Sequence, residues 1–253
     1  MAQTDYEEVF PAATVIILRD STVGIEILAI ERAKGMGFAG GAVAFPGGKV
    51  DASDAAFASN AFQGFQSLED EDARARVTAA REAFEESGVL LSAGPAVQHG
   101  VRSRLRPASD RHEIGFAELL AEIGHTLDAS RLVPFARWMP PKMVHKRFDT
   151  RFYLAALPEG EEMQADGHEA VRARWATPGK LLDEADRNEI SILFPTRCNV
   201  ARIAQFDTVA SLLRDQTPPP FIQPQIQQDG WLTIPEDVGY PYWRERLEGL
   251  RRG

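Results

Sequence analysis

Three glutamates in one short stretch carry the strongest chemical signal in this chain. Glu82, Glu85 and Glu86 sit in the run Arg81-Glu82-Ala83-Phe84-Glu85-Glu86-Ser87-Gly88-Val89, at a spacing that gathers three carboxylates on one face of a helix. Like charges so placed repel, and on most helices such a cluster is a solvated acidic face. A hard divalent cation held between oxygen ligands turns the repulsion into binding. Arg81, four residues before Glu85, is placed to pair with it and fix its direction. This set suits hydrolysis of a diphosphate, in which phosphoryl charge must be neutralised, a water made nucleophilic and a leaving phosphate stabilised.

The glutamates need a helix, and residues 68 to 87 read as one. Acids at 69 to 72 favour its first turn, and Gly88 stands where a C′ residue belongs. Val77, Ala80, Phe84 and Ser87 form a face separate from the glutamates. Upstream, residues 12–18 and 25–30 are short, β-branched and apolar with a turn between them, which predicts a hairpin. Six glycines and one proline between 35 and 48 predict a loop carrying a short strand at 42–45. Downstream, 116–123 reads as a short amphipathic helix, 132–138 and 148–157 as strands, and 180–186 and about 199–214 as helices. The segment from Thr217, TPPPFIQPQIQQDGW, is too rich in proline for regular structure and reads as a tail or clamp. The expectation is one α/β domain over 8–215, with a helical extension from about 178, and a tail over 216–253 packed upon it.

Phe45-Pro46-Gly47-Gly48-Lys49-Val50-Asp51-Ala52-Ser53-Asp54 supplies a second half to the motif. Together with Arg81 to Val89 it resembles the box of the Nudix hydrolases, G-x5-E-x7-R-E-U-x-E-E-x-G-U with U aliphatic. Two departures stand out. Asp54 takes the place of the first glutamate, and 26 residues instead of seven separate it from Arg81, an insertion over about 55–72 expected to loop out before the helix. The resemblance implies a Nudix α/β/α sandwich with a mixed central sheet. It implies Mg2+ or Mn2+ held by Glu82, Glu85, Glu86 and Gly48, with Arg81 supporting them and one of the glutamates or a loop acid as general base. Glu169, in Asp166-Gly167-His168-Glu169, resembles the family's later acidic loop.

Upstream spacing narrows the substrate. Arg32-Ala33, Gly41 and Phe45-Pro46-Gly47-Gly48 fall at the intervals of the coenzyme A diphosphatase branch, although Gly37 replaces an arginine there. The long insertion, REAFEESGVLL and the segment 147–152 look most like its peroxisomal acyl-CoA subgroup. If that activity transfers, the products are an adenosine bisphosphate and an (acyl-)phosphopantetheine. The alternatives are hydrolysis of an ADP-ribose-like or other nucleoside diphosphate compound, or a Nudix-fold module that binds a metabolite without catalysis. Arg32, Gly47, Gly48 and Lys49 are candidate substrate contacts. Arg147 and Arg151, two turns of strand pleat apart, offer one side chain to the cleft, and Arg102, Arg104, Arg106 and Arg111 form the densest basic stretch.

Other chemistries are disfavoured. Gly35-Met36-Gly37-Phe38-Ala39-Gly40 is a formal G-x-G-x-x-G, but Pro46 and the glycines after it forbid the helix a dinucleotide fold needs there. The five histidines lack ligand spacing, no G-x-S-x-G occurs, and the single Cys198 has no disulfide partner. A net charge of -9 argues against nucleic acid as the partner. The partner expected is a small-molecule diphosphate, with no membrane and a homodimer allowed. An acidic N-terminal stretch and a chain ending Arg251-Arg252-Gly253, without a peroxisomal tripeptide, make the cytoplasm the expected compartment.

Overall fold

The computed structural model describes residues 8–33, 40–142, 146–164 and 170–247. Along the chain run β1 (Glu8–Ser21), β2 (Gly24–Arg32), β3 (Ala42–Ala44), β4 (Gly47–Lys49), β5 (Phe62–Gln63), α1 (Asp70–Ser87), α2 (His99–Asp110), α3 (Phe116–Glu122), β6 (Leu127–Asp128), β7 (Val133–Trp138) and β8 (Lys146–Ala156). β9 (Ala170–Ala176), α4 (Pro178–Asp186), β10 (Ser191–Ile192), α5 (Phe194–Ile203), α6 (Val209–Leu213), β11 (Phe221–Ile222), β12 (Gln225–Ile226), β13 (Trp231–Thr233) and β14 (Arg244–Arg246) complete it.

The central strand is β1. It pairs antiparallel with β2 and β4 and parallel with β8, in a mixed sheet ordered β10-β3-β2-β1-β8-β7-β11, with β9 joined to β2. Its continuous apolar run reflects burial on both faces. Ala13, Val15 and Ile17 pack with α1, α2 and α3, whereas Ile16 and Leu18 pack with α4, α5, α6 and the C-terminal segment. Two cores on opposite faces of one sheet make the α/β/α sandwich. Gly88 ends α1 in the left-handed conformation at φ 73°, its N–H donating to the Phe84 carbonyl, which is what a C′ glycine provides.

Three expectations need correction. The insertion does not loop out: Ala61, Phe62 and Phe65 are buried in the α1 core, and Phe62 pairs with Leu127 in a short parallel bridge. The helix that follows begins at Asp70, close to the expected 68. The helix expected over 199–214 is two helices, α5 and α6, the second restarted by a capping box at Thr208 and Ser211. The proline-rich segment is regular after all. β11 extends the main sheet beside β7, and β12, β13 and β14 form a three-stranded sheet. These strands of two or three residues fit between the prolines, at edges where a missing N–H does no harm. The segment is fastened where the Tyr240 hydroxyl donates to Asn199 (2.9 Å) and its ring meets Trp138 edge-on at 5.9 Å. Helix α2 has no counterpart among the sequence expectations, since only Leu105 and Ser109 of its twelve residues are buried and its apolar pattern is correspondingly thin.

Candidate active site

The two halves of the motif meet at Arg81. Its guanidinium donates from Nε to Asp54 Oδ1 (3.0 Å) and from Nη2 to Asp54 Oδ2 (3.1 Å) and to the Lys49 carbonyl (3.3 Å). The Nη1 group reaches Glu82 (2.8 Å) and Glu85 (2.7 Å). Burial opposes this charge, but Glu82, Asp54 and Glu85 outweigh it and hold Arg81 firmly protonated. Asp54, fully buried, also accepts from Thr78 (2.7 Å) and from the Asp51 N–H (2.9 Å). A short turn capped by Asp51 presents it to α1. Asp54 therefore anchors Arg81, and the shorter acid reaches it because the turn carries it in.

Glu86 accepts from the Gly47 N–H at 2.9 Å and lies 3.9 Å from Arg32. Glu85 is almost wholly buried, with Oε2 bonded to Arg81 and Oε1 to Ser109 at 2.5 Å. Burial raises the Glu85 carboxyl above the ordinary range, against the pull of Arg81 and Ser109. Glu82 lies against the glycine strand so closely that a Cβ on Gly48 would overlap its carboxylate. A Cβ on Gly47 would instead strike the backbone of Ala13 and Thr14, because β4 lies directly on β1. Both glycines are thus required by close approach, one to the sheet and one to a carboxylate.

Among the described residues, no three acidic, histidine or cysteine side chains converge as a ready-made metal site. Glu85 and Glu86 are turned onto Ser109, Arg81 and the Gly47 N–H. The donor chemistry nevertheless suits a divalent cation: the carboxylates of Glu82, Glu85 and Glu86 come from one helix beside the bare Gly47 and Gly48, and all offer oxygen.

The remaining candidates divide. Arg32 stands near Glu86, and its buried Nε has no hydrogen-bond partner among the described residues. Lys49 contributes its carbonyl, while its ammonium sits over the Phe10 ring at 3.8 Å. Arg151 is not at the glutamates. It pairs with Glu71 (3.1 Å) and Asp72 (3.7 Å) in the first turn of α1, roughly 16 Å along the helix from Glu82 at 1.5 Å per residue. Arg147 is buried on β8, in register with Val9. Glu169 lies outside the described residues. Of the basic stretch, Arg104 and Arg111 pair with Glu122 and Glu113 on the surface, whereas Arg102 and Arg106 turn to the C-terminal end of α1. Beside that end lies a cleft of about 1510 Å³, bordered by Glu85, Arg102, His125 and the 158–164 loop. Ser109 was invisible to sequence reasoning, since nothing in a lone serine 24 residues from Glu85 signals contact.

The family profile described as the NUDT19 Nudix domain matches residues 55–203. The chain belongs to the Nudix family. Proteins named acyl-coenzyme A diphosphatase NUDT19 from Homo sapiens and Xenopus laevis are 29% and 24% identical over 240 and 243 residues, covering 75% and 77% of this chain. In each case the alignment covers 63% of the relative, so this Nudix chain spans less than two thirds of their length. The crystal structure of a NUDIX hydrolase from Alicyclobacillus acidocaldarius matches with a TM-score of 0.71 at 27% identity, covering 83% of this chain and 97% of that one. Nudix hydrolases generally need divalent metals, in keeping with the oxygen donors of the box. Among the described residues no helix is long and apolar enough to cross a membrane.

Proposed function

We propose that this chain is a divalent-metal-dependent hydrolase that cleaves the diphosphate of coenzyme A or acyl-CoA. The products would be adenosine 3',5'-bisphosphate and (acyl-)phosphopantetheine. The observation that carries the reading is the buried Asp54–Arg81–Glu85 network, which joins the two halves of the box across the insertion. Arg81, buried and bound to three acids, holds Glu82 and Glu85 in fixed positions beside the glycine strand. The names of the relatives support the choice of coenzyme A derivatives.

Glu82, Glu85 and Glu86, with the Gly48 carbonyl, would hold Mg2+ or Mn2+. When bound, the cations supply charge for the phosphoryl oxygens and lower the pKa of a water. The chain's own residues prepare the site. Arg81 fixes Glu82 and Glu85, the Gly47 N–H fixes Glu86, and the bare Gly48 leaves room beside Glu82. Arg32, beside Glu86, is the cation best placed to meet the diphosphate, with the backbone of Gly47 and Gly48 alongside. A box glutamate or Glu169 takes the proton of the attacking water as the P–O bond to the leaving phosphate breaks.

The test offers purified protein coenzyme A, acyl-CoAs, ADP-ribose, NADH and nucleoside triphosphates with Mg2+ or Mn2+, and identifies the products by mass spectrometry. Cleavage of coenzyme A or its esters, lost by orders of magnitude in Glu85→Gln, is the expected result. Preference for ADP-ribose overturns the substrate assignment. No turnover of any compound, or turnover indifferent to Glu85→Gln, overturns the enzyme reading.

A further inference from the structure

Helix α2 belongs to neither half of the box, yet three of its side chains meet the last turn of α1. Arg102 donates to the Gly88 carbonyl at 3.1 Å, Arg106 donates to the Glu85 carbonyl at 2.8 Å, and Ser109 donates to the Glu85 carboxylate at 2.5 Å. Positions 102, 106 and 109 form one stripe of a helix. The arginines satisfy carbonyls that a helix end leaves open and add positive charge where the helix dipole is negative. Arg102 is itself held by Glu161 at 2.9 Å. Ser109, buried, does something different: it reaches past the backbone to a side chain of the box.

We propose that Ser109 is a positioning residue for Glu85, delivered by α2 to lock the carboxylate in its working orientation. The inference rests on the metal-dependent reading above. Arg81 holds Oε2 from the box side and Ser109 holds Oε1 from the α2 side, so rotation of the carboxylate about its terminal bond is closed from both sides. A neutral hydroxyl suits this place. It directs an oxygen without adding a second positive charge that would compete with a cation, and each carboxylate oxygen keeps a further lone pair for another ligand. The stripe of arginines above it keeps α2 at the distance the hydroxyl needs.

The experiment compares wild type, Ser109→Ala and Ser109→Thr by Mn2+ binding followed in electron paramagnetic resonance, by steady-state hydrolysis of coenzyme A, and by thermal unfolding. Loss of an outer hydrogen bond to a metal-site carboxylate weakens affinity or rate by about 10–100-fold. Ser109→Ala is therefore expected to weaken Mn2+ binding and lower kcat in that range, with KM within about twofold of wild type, as for a group that does not touch substrate. Ser109→Thr, which keeps the hydroxyl, is expected to restore most of both. Mn2+ affinity and kcat unchanged in the folded alanine variant, or an equal loss in the threonine variant, overturns the positioning role. A wild-type protein that neither binds Mn2+ nor turns over coenzyme A overturns the underlying function reading instead, and the inference with it.

Discussion

Replacing Asp54 by asparagine tests the joint between the two halves of the box with almost no change in shape. Oδ2 of Asp54 receives three donors, the Asp51 N–H, the Thr78 hydroxyl and Arg81 Nη2, while Oδ1 receives Arg81 Nε alone. The asparagine oxygen will keep the crowded position and turn its NH2 group onto Nε, donor against donor. One charge-assisted bond, worth about 1.5–3 kcal/mol, is lost, together with the negative charge facing a buried guanidinium. Removing one partner of a buried pair costs about 3–5 kcal/mol, but Arg81 retains Glu82 and Glu85, so the loss expected is near the lower figure, about 3 kcal/mol. At about 2–4 °C per kcal/mol for a chain of this size, Tm falls by roughly 6–12 °C. Arg81, released on one side, binds Glu82 and Glu85 more tightly and competes with cations there, so Mn2+ affinity falls by about tenfold or more. Scanning calorimetry and Mn2+ titration read the two effects. A Tm within about 2 °C of wild type, under 1 kcal/mol by the same scale, together with unchanged Mn2+ affinity, refutes the account of Arg81 as the joint.

The two box glycines separate stability from function. Gly48→Ala displaces only the Glu82 carboxylate, so the variant will fold with little loss of Tm but lose most of its metal-dependent activity, whereas Gly47→Ala strikes the backbone of β1 and will lower Tm by several degrees. In the C-terminal sheet, burial raises the Glu245 carboxyl above the ordinary range, with Arg197 only partly opposing it. A raised folded pKa stabilises the fold below the unfolded value of about 4.3 and loses that contribution as pH rises through the folded value. Glu245→Gln will therefore unfold at higher temperature than wild type at neutral pH, with the difference shrinking toward pH 4; a constant difference across pH would contradict this. Cys198 is fully buried and burial pushes its thiol well above the usual range, so the native protein will not react with DTNB until it is unfolded.

Local patterns in the sequence determined the elements nearest the chemistry. Strong β-branched runs and a helix bounded by acids and Gly88 specified the first hairpin and α1 within a few residues, because burial on defined faces imposes a period that a single chain displays. The glutamates stood out by their spacing, and the box glycines by the resemblance to the Nudix box. Weaker patterns misled. The prolines after Thr217 hid β11 to β14, and the insertion gave no sign that Phe62 and Phe65 would enter the core, since three phenylalanines at irregular spacing among small and polar residues fit a loop as well as a plug. Arg151 shares a strand face with Arg147 and was a candidate for the cleft, yet it pairs with the far end of α1, a distance no alternation of strand residues can reveal.

What tertiary structure alone decided is which polar atoms meet. Asp54 and Arg81 are joined across 27 positions, and Ser109 reaches Glu85 across 24 from a helix whose pattern was too thin to foresee. Periodicity specifies which face of an element is buried, but the partner of a buried hydrogen bond depends on how separate elements pack, and packing is a property of the whole chain. The sequence by itself singled out Glu82, Glu85 and Glu86 as candidate ligands; the fold assigned each of them the donor that holds it in place.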